Sequence, residues 1–380
     1  MKKVFAIVMA VMMVMAMFAG CESSNSDSNV IKVGTSGPLT GDYAVYGCAV
    51  ANGLELAFEE INAKGGLQFE LQAHDDEGDG EKAVNVYNVM MDWGMQIMAG
   101  PTTSGAAAAT AAECVNDKVF MLTPSASDAA VIAAGENVYQ ICFSDPNQGI
   151  GSADYILNNN LATKVGVIYD SSSPYSAGIF AKFQTQAQAV GLNVVAVEPF
   201  TDANKSDLST QVTKCQEAGC DLIFLPIYTA EAAQVLTYAD KIGYAPKFFG
   251  CDGLDGILSV EGFDPALAEG VMLLTPFDAT ATDAKTQAFV KSYTEKFNLA
   301  PNQFAADAYD VAYAIYEACK AGNVTADMSA EKICEIMLEQ FATLEFDGLT
   351  GENMTWGADG AVSKLPMAVK IENGVYVSVE

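Results

Sequence analysis

Behind an apolar opening stretch, short strand-like apolar runs alternate with longer segments of helical period along almost the whole chain. VIKVGTSG (30–37) is a run of the first kind and ends in a Gly/Ser/Pro turn. Across 44–64, Val50, Leu54, Ala57, Phe58 and Ile61 share one helical face, and Gly65 and Gly66 close the helix. The pattern predicts strands at 69–76, 95–100 and 119–125, separated by helices at 80–93 and 104–116. The rhythm restarts after about residue 146. Helices are expected at 147–160, 176–190, 206–218 and 231–242, leading to strands at 164–172, 193–200, 220–226 and 247–253. A strand at 271–275 is followed by helices at 284–297, 303–321 and 329–342, then by a hairpin-like tail with LPMAVKI at 365–371. Repeated βαβ alternation implies an α/β fold with parallel sheets covered on both faces. The length exceeds what one core usually serves, so two domains are expected.

Ligands of such sheets bind at the carboxyl ends of strands. The turns there read TSGPLTGDYAVYG, AGPTTSG, TPSAS, YDSSSPYS, PIYTAE and CDG, rich in Ser, Thr, Gly and Tyr. Neither GxxxxGK nor GxGxxG occurs, which leaves a nucleotide reading without support.

Charge narrows the partners. The formal net charge is -29, a surface that repels phosphate backbones, so nucleic acid is excluded as a partner. All 19 basic residues are lysines. A bidentate guanidinium clamp is therefore impossible, and an anionic ligand must be held by hydroxyls, backbone N–H groups, helix N-termini or lysine. His74 is the single histidine, and no CxxC or HExxH motif is present. These absences argue against His-based acid–base chemistry, Ser/His triads and multi-His metal sites, so neither an enzyme nor a cofactor is expected. Of nine cysteines, Cys215–Cys220 and Cys319–Cys334 are the local disulfide candidates, with free buried thiols the equal alternative.

The opening stretch is a secretory signal: Lys2 and Lys3, the apolar run 4–18, then Ala19, Gly20 and Cys21, then the polar ESSNSDSN. A cysteine directly after small residues resembles a bacterial lipoprotein signal, with Phe18 where that pattern usually has an aliphatic residue. The resemblance implies a signal peptide at 1–20, a diacylated Cys21 and a linker at 21–29. The chain is then expected outside the cytoplasm, touching the bilayer through its acyl anchor only.

IKVGTSGPLTGDYAVYGCAVANGLELAFEEINAKGG and AADAYDVAYAIYEA (305–318) resemble the type I periplasmic binding proteins, closest to their leucine/isoleucine/valine-binding branch. The similarity covers 30–380. It implies two Rossmann-like lobes joined by three hinge strands, here 30–144 plus 276–352 and 145–275 plus 353–380, closing on a ligand between them. Carried onto this chain, it implies Ser104, Ser125 and Ser127 around an amino acid's α-carboxylate and Asp252 at its ammonium, where the family usually has Glu. It places Tyr175, Tyr228 and Tyr46 on the pocket walls and Phe277 on the far side. A disulfide found near the second strand end in one branch is absent, because that segment reads DDEGDGEK.

The resulting expectation is a monomeric solute-binding lipoprotein of an ABC importer, taking a branched-chain or other apolar amino acid and delivering it to a membrane permease. The alternative is a sensor of the same fold for an amide, amine or aromatic acid, signalling to a membrane receptor.

Overall fold

Two-residue alternation along the strands decides which helices cover which face. The computed structural model describes residues 30–379, and its first sheet contains β1 (Ile31–Gly37), β2 (Phe69–Asp75), β3 (Ile97–Met98), β4 (Phe120–Thr123) and β5 (Val138–Gln140). All five strands run parallel, in the order β2-β1-β3-β4-β5. Ile31, Val33, Ile97, Phe120, Leu122 and Tyr139 point to one face. There they meet α1 (Ala44–Ala63), α10 (Gln303–Ala321) and α11 (Ala330–Phe341). Met98, Met121 and Val138 point to the other face, against α2 (Gly80–Trp93) and α3 (Ser104–Asp117). α1 and α10 pack closely because Gly53 has no side chain: a Cβ there would lie 2.2 Å from the Ala305 carbonyl oxygen.

The second sheet has seven strands, built from β6 (Val165–Asp170), β7 (Val194–Phe200), β8 (Leu222–Leu225), β9 (Lys247–Gly250), β10 (Met272–Thr275), β11 (Met367–Glu372) and β12 (Val375–Ser378). Its order is β12-β11-β10-β9-β8-β6-β7, parallel except at β10–β11 and β11–β12. Val167, Leu222, Phe224 and Leu274 face α5 (Asp145–Asn158) and α6 (Pro174–Val190). Ile168, Ile223, Leu225 and Leu273 face α7 (Ser209–Glu217) and α8 (Thr229–Lys241). α9 (Ala284–Phe297) returns to the first lobe, where Phe289 and Tyr293 join the core of α1 and α10.

The fold is the expected α/β arrangement of two lobes, with three chain crossings between them. Several details differ from the expectation. A short helix, α4 (Ala129–Ile132), and the strand β5 lie in a stretch too brief to show a period. The tail is antiparallel, and Asn373 and Gly374, with φ of 54° and 74°, form the left-handed turn between β11 and β12. Residues 353–364 were expected with the second lobe. Met354, Trp356 and Val362 instead enter the first core, and Trp356 Nε1 donates to the Gln140 carbonyl at 2.9 Å. We therefore propose that the last crossing lies near Leu365 rather than at 353. Just before it, Lys364 is buried and pairs with Asp307, and it also donates to Thr350 Oγ1 at 2.6 Å.

All eight cysteines of the described residues are free thiols, so neither local disulfide forms in this structure. Cys319 Sγ meets Met337 Sδ at 3.8 Å rather than Cys334. No helix among the described residues is long and apolar enough to cross a membrane. The signal, Cys21 and the linker lie outside the described residues.

Candidate functional site

The carboxyl ends of both sheets face each other across one narrow cavity lined by Tyr46, Thr102, Thr103, Ser125, Tyr175, Tyr228, Asp252, Gly253 and Phe304. From the first lobe, Thr102 and Thr103 follow β3, Ser125 follows β4, Tyr46 comes from α1 and Phe304 opens α10. From the second, Tyr175 sits in the first turn of α6, Tyr228 precedes α8 and Asp252 follows β9. The placement follows from parallel strands, whose helix-bound turns all emerge at one edge.

On the first-lobe side the donors are neutral. Ser125 Oγ donates to the Thr102 carbonyl at 2.7 Å, and Thr123 Oγ1 donates to the Pro101 carbonyl at 2.7 Å, so the two turns are tied together. Ser104, the first residue of α3, is buried behind Thr103 and its Oγ accepts from Asp128 N at 3.3 Å. Thr103 Oγ1 is buried and has no partner, while the fully buried Ser127 hydroxyl lies against the Asp145 carboxyl. An orphaned hydroxyl beside a helix N-terminus offers what an anion needs, without a cation.

The opposite side is built on a carboxylate. Asp252 Oδ1 accepts from the Tyr175 hydroxyl at 2.7 Å, and the Tyr175 oxygen accepts from Gly253 N at 2.9 Å. A Cβ on Gly253 would lie 2.5 Å from that oxygen, so the turn requires glycine. Gln148 of α5 accepts from Asp252 N at 3.1 Å, and Gln303 Nε2 donates to the Asp252 carbonyl at 3.0 Å. Burial pushes the Asp252 carboxyl up to about 7, against hydrogen bonds from Tyr175 and Gln148 that lower it. Lys364 is the one buried lysine among the described residues and it is paired with Asp307. Asp252 is thus a buried carboxylate with hydrogen bonds and no protein cation. Nearby, Asp145 is also buried, with its carboxyl beside the Ser127 hydroxyl.

Aromatic rings fill the space between the two sides. Tyr175 and Tyr228 stack with centroids 4.8 Å apart and planes 4° apart. Tyr46 packs on Tyr228 at 5.2 Å and edge-on to Phe304 at 4.9 Å. The Tyr46 hydroxyl donates to the Gly253 carbonyl at 2.6 Å and accepts from Thr229 N at 2.7 Å, which links the lobes.

Of the residues expected from sequence, the structure gathers Ser125, Asp252, Tyr175, Tyr228 and Tyr46 around one cavity. Ser104 and Ser127 lie just behind its wall. Phe277 does not join them: it packs on Phe289 and lines a separate cavity of about 240 Å³ with Asp255, Pro301 and Tyr376. Phe304 holds the aromatic place given to Phe277. Thr102, Thr103, Gly253 and Gln148 were not anticipated. AGPTTSG did mark the first two as a hydroxyl-rich strand end, but not which of three successive residues turns inward.

Residues 30–374 match the family model described as periplasmic binding protein, so the chain belongs to that family. Within it the chain falls in the type I, leucine/isoleucine/valine branch. It is 30% identical over 299 residues to the Leu/Ile/Val-binding protein homolog 3 of Brucella melitensis, covering 77% of this chain and 78% of that protein. The leucine binding protein LivK of Thermotoga maritima superposes with a TM-score of 0.82 at 25% identity, over 92% of this chain and 98% of that one. LivJ of Streptococcus pneumoniae, solved in complex with isoleucine, gives 0.80 at 27% identity, over 92% and 100%.

The raised carboxyl sets a pH dependence. Between the ordinary 3.8 and about 7, the folded chain keeps a proton on Asp252 that the unfolded chain releases. Stability from this group is complete below that window and is lost as pH rises through it. Asp255 and Asp307, both pushed up by burial to about 6, act in the same direction. Thermal melts of the ligand-free protein are expected to fall from pH 5 to pH 8, and Asp252→Asn should flatten the fall. A melt as steep in the variant as in the parent would remove Asp252 as its source.

Proposed function

We propose that this chain is the extracytoplasmic solute-binding component of an ABC importer and that it closes on a small uncharged amino acid of branched-chain size. The observation that carries the reading is the chemical polarity of the cavity. Hydroxyls and a helix N-terminus without a cation stand on one side, and the buried carboxylate of Asp252 stands on the other. That pair complements a zwitterion, with carboxylate toward Thr102, Thr103 and Ser125 and ammonium toward Asp252. Relatives named as Leu/Ile/Val-binding proteins support the same class. They also support solute binding rather than catalysis, and a membrane permease as the partner.

Tyr46, Tyr228 and Phe304 supply apolar walls, against which a leucine-sized side chain would contribute ~2–3 kcal/mol. A ligand carboxylate in the side-chain position would meet no cation and would have to be desolvated near Asp252. We infer further that Cys21 carries the lipid that holds the protein at the outer face of the cell membrane.

A thermal-shift screen of the twenty amino acids tests the ligand class. Leucine, isoleucine or valine at 100 times its dissociation constant should stabilise the mature protein by about 2.7 kcal/mol, while glutamate and aspartate leave the melt in place. A shift by an acidic amino acid alone would contradict the assignment. Anchoring is tested by Cys21→Ser. The variant is expected in the soluble fraction, since a diacylated cysteine is the only strong membrane attachment proposed. A variant that still pellets with membranes after a salt wash would rule out Cys21 as the anchor.

A further inference from the structure

Glu231 lies in the first turn of α8 and is 3% exposed. Its Oε1 accepts from the Tyr43 hydroxyl at 2.7 Å, a contact between the lobes. Its Oε2 is buried and has no partner. A glutamate near a helix N-terminus suits the helix dipole, which accounts for the charge but not for the orphaned oxygen. The nearest lysine, Lys205, meets the same Tyr43 hydroxyl and its charge reaches Glu231, but it makes no direct ion pair with it. Its Nζ donates to the Tyr43 hydroxyl at 3.2 Å and pairs with Asp202 at 2.8 Å. A buried carboxylate oxygen without a donor has given up its hydration with nothing in return.

The surroundings point to what would satisfy it. Glu231 borders a small cavity with Tyr43, Asp170, Ser173, Tyr175 and Tyr228. Tyr175 and Tyr228 also line the cavity that holds Asp252. The stacked tyrosine pair therefore stands between two pockets, one ending in Asp252 and one in Glu231. Glu231 lies across that pair from Asp252, so a ligand side chain that passed the Tyr228 ring would come to it.

We propose that Glu231 reads the far end of the ligand's side chain, and that this end carries an N–H or O–H donor for the Oε2 oxygen. The proposal rests on the amino-acid reading above and refines it: among uncharged amino acids of similar shape, those ending in a donor bind more tightly. Burial raises the Glu231 carboxyl from its ordinary value, against the Tyr43 hydrogen bond and the Lys205 charge, which lower it.

Calorimetry with paired ligands of near-equal size tests this in the unmodified mature protein: asparagine against leucine, glutamine against methionine, threonine against valine. A hydrogen bond to a charged group corresponds to about tenfold in the dissociation constant, in favour of the polar member of at least one pair. Glu231→Leu should invert that preference, and Glu231→Gln should reduce it, with the ligand-free melt and circular dichroism confirming that each variant folds. Leucine, methionine and valine binding as well as or better than all their polar counterparts in the parent protein would overturn the proposal and leave the amino-acid reading intact. A preference unchanged in a folded Glu231→Leu variant would also overturn it. Absence of binding by every amino acid would overturn both readings together.

Discussion

A carboxylate buried without a protein cation is the constraint on which the rest of this site depends. Asp252 sits in the interior between two lobes, where ionisation is disfavoured and its carboxyl rises to about 7. The protein keeps it there through Tyr175, Gln148, Gly253 and Gln303, which between them come from three helices and the turn itself. Such scaffolding around an unpaired acid fits a group that waits for a positive charge supplied from outside. The wall opposite offers neutral hydroxyls and the start of α3, the kind of anion donor left, besides lysine, to a chain without arginine.

Closure couples those two halves. Tyr46 reaches from α1 to the Gly253 carbonyl and the Thr229 amide, and Gln303 reaches from α10 to the Asp252 carbonyl. These interlobe contacts end on or beside the residues that hold the acid, so the angle between the lobes and the geometry at Asp252 change together. The large negative charge of the chain is a separate matter. Among the described residues its lysines other than Lys364 stay outside the interior, and several pair with exposed carboxylates, where such pairs contribute little.

Much of this was legible in the sequence because it depends on period and on turn chemistry. Val50, Leu54 and Phe58 announced α1, and the alternating βαβ rhythm announced two parallel sheets. The Ser-, Thr- and Tyr-rich strand ends marked the site's edge, and AADAYDVAYAIYEA carried the family resemblance. What could not be read was direction within a turn. Across Pro101–Ser104 one residue of rotation decides between Thr103 facing the cavity and Ser104 facing Asp128. Phe277 and Phe304 are both aromatic residues at the start of a helix-bound segment, and only tertiary packing assigns Phe304 to the cleft and Phe277 to the cavity beside Tyr376. The strand β5 was missed because three residues show no period, and the proposed shift of the last crossing past 353 rests on Trp356, which anchors the returning chain to Gln140.

The central claim is that both ends of a zwitterion are held at once, by Asp252 on one lobe and by the hydroxyl wall on the other. Titration of the mature protein with leucine, isocaproate and isoamylamine separates those ends, because the second ligand lacks the ammonium and the third lacks the carboxylate. Leucine is expected to bind one to one, and each half-ligand to lose at least about a hundredfold, since truncating either end leaves a buried group unpaired. Isocaproate binding as tightly as leucine would contradict the account, because Asp252 would then have no part in holding the ligand.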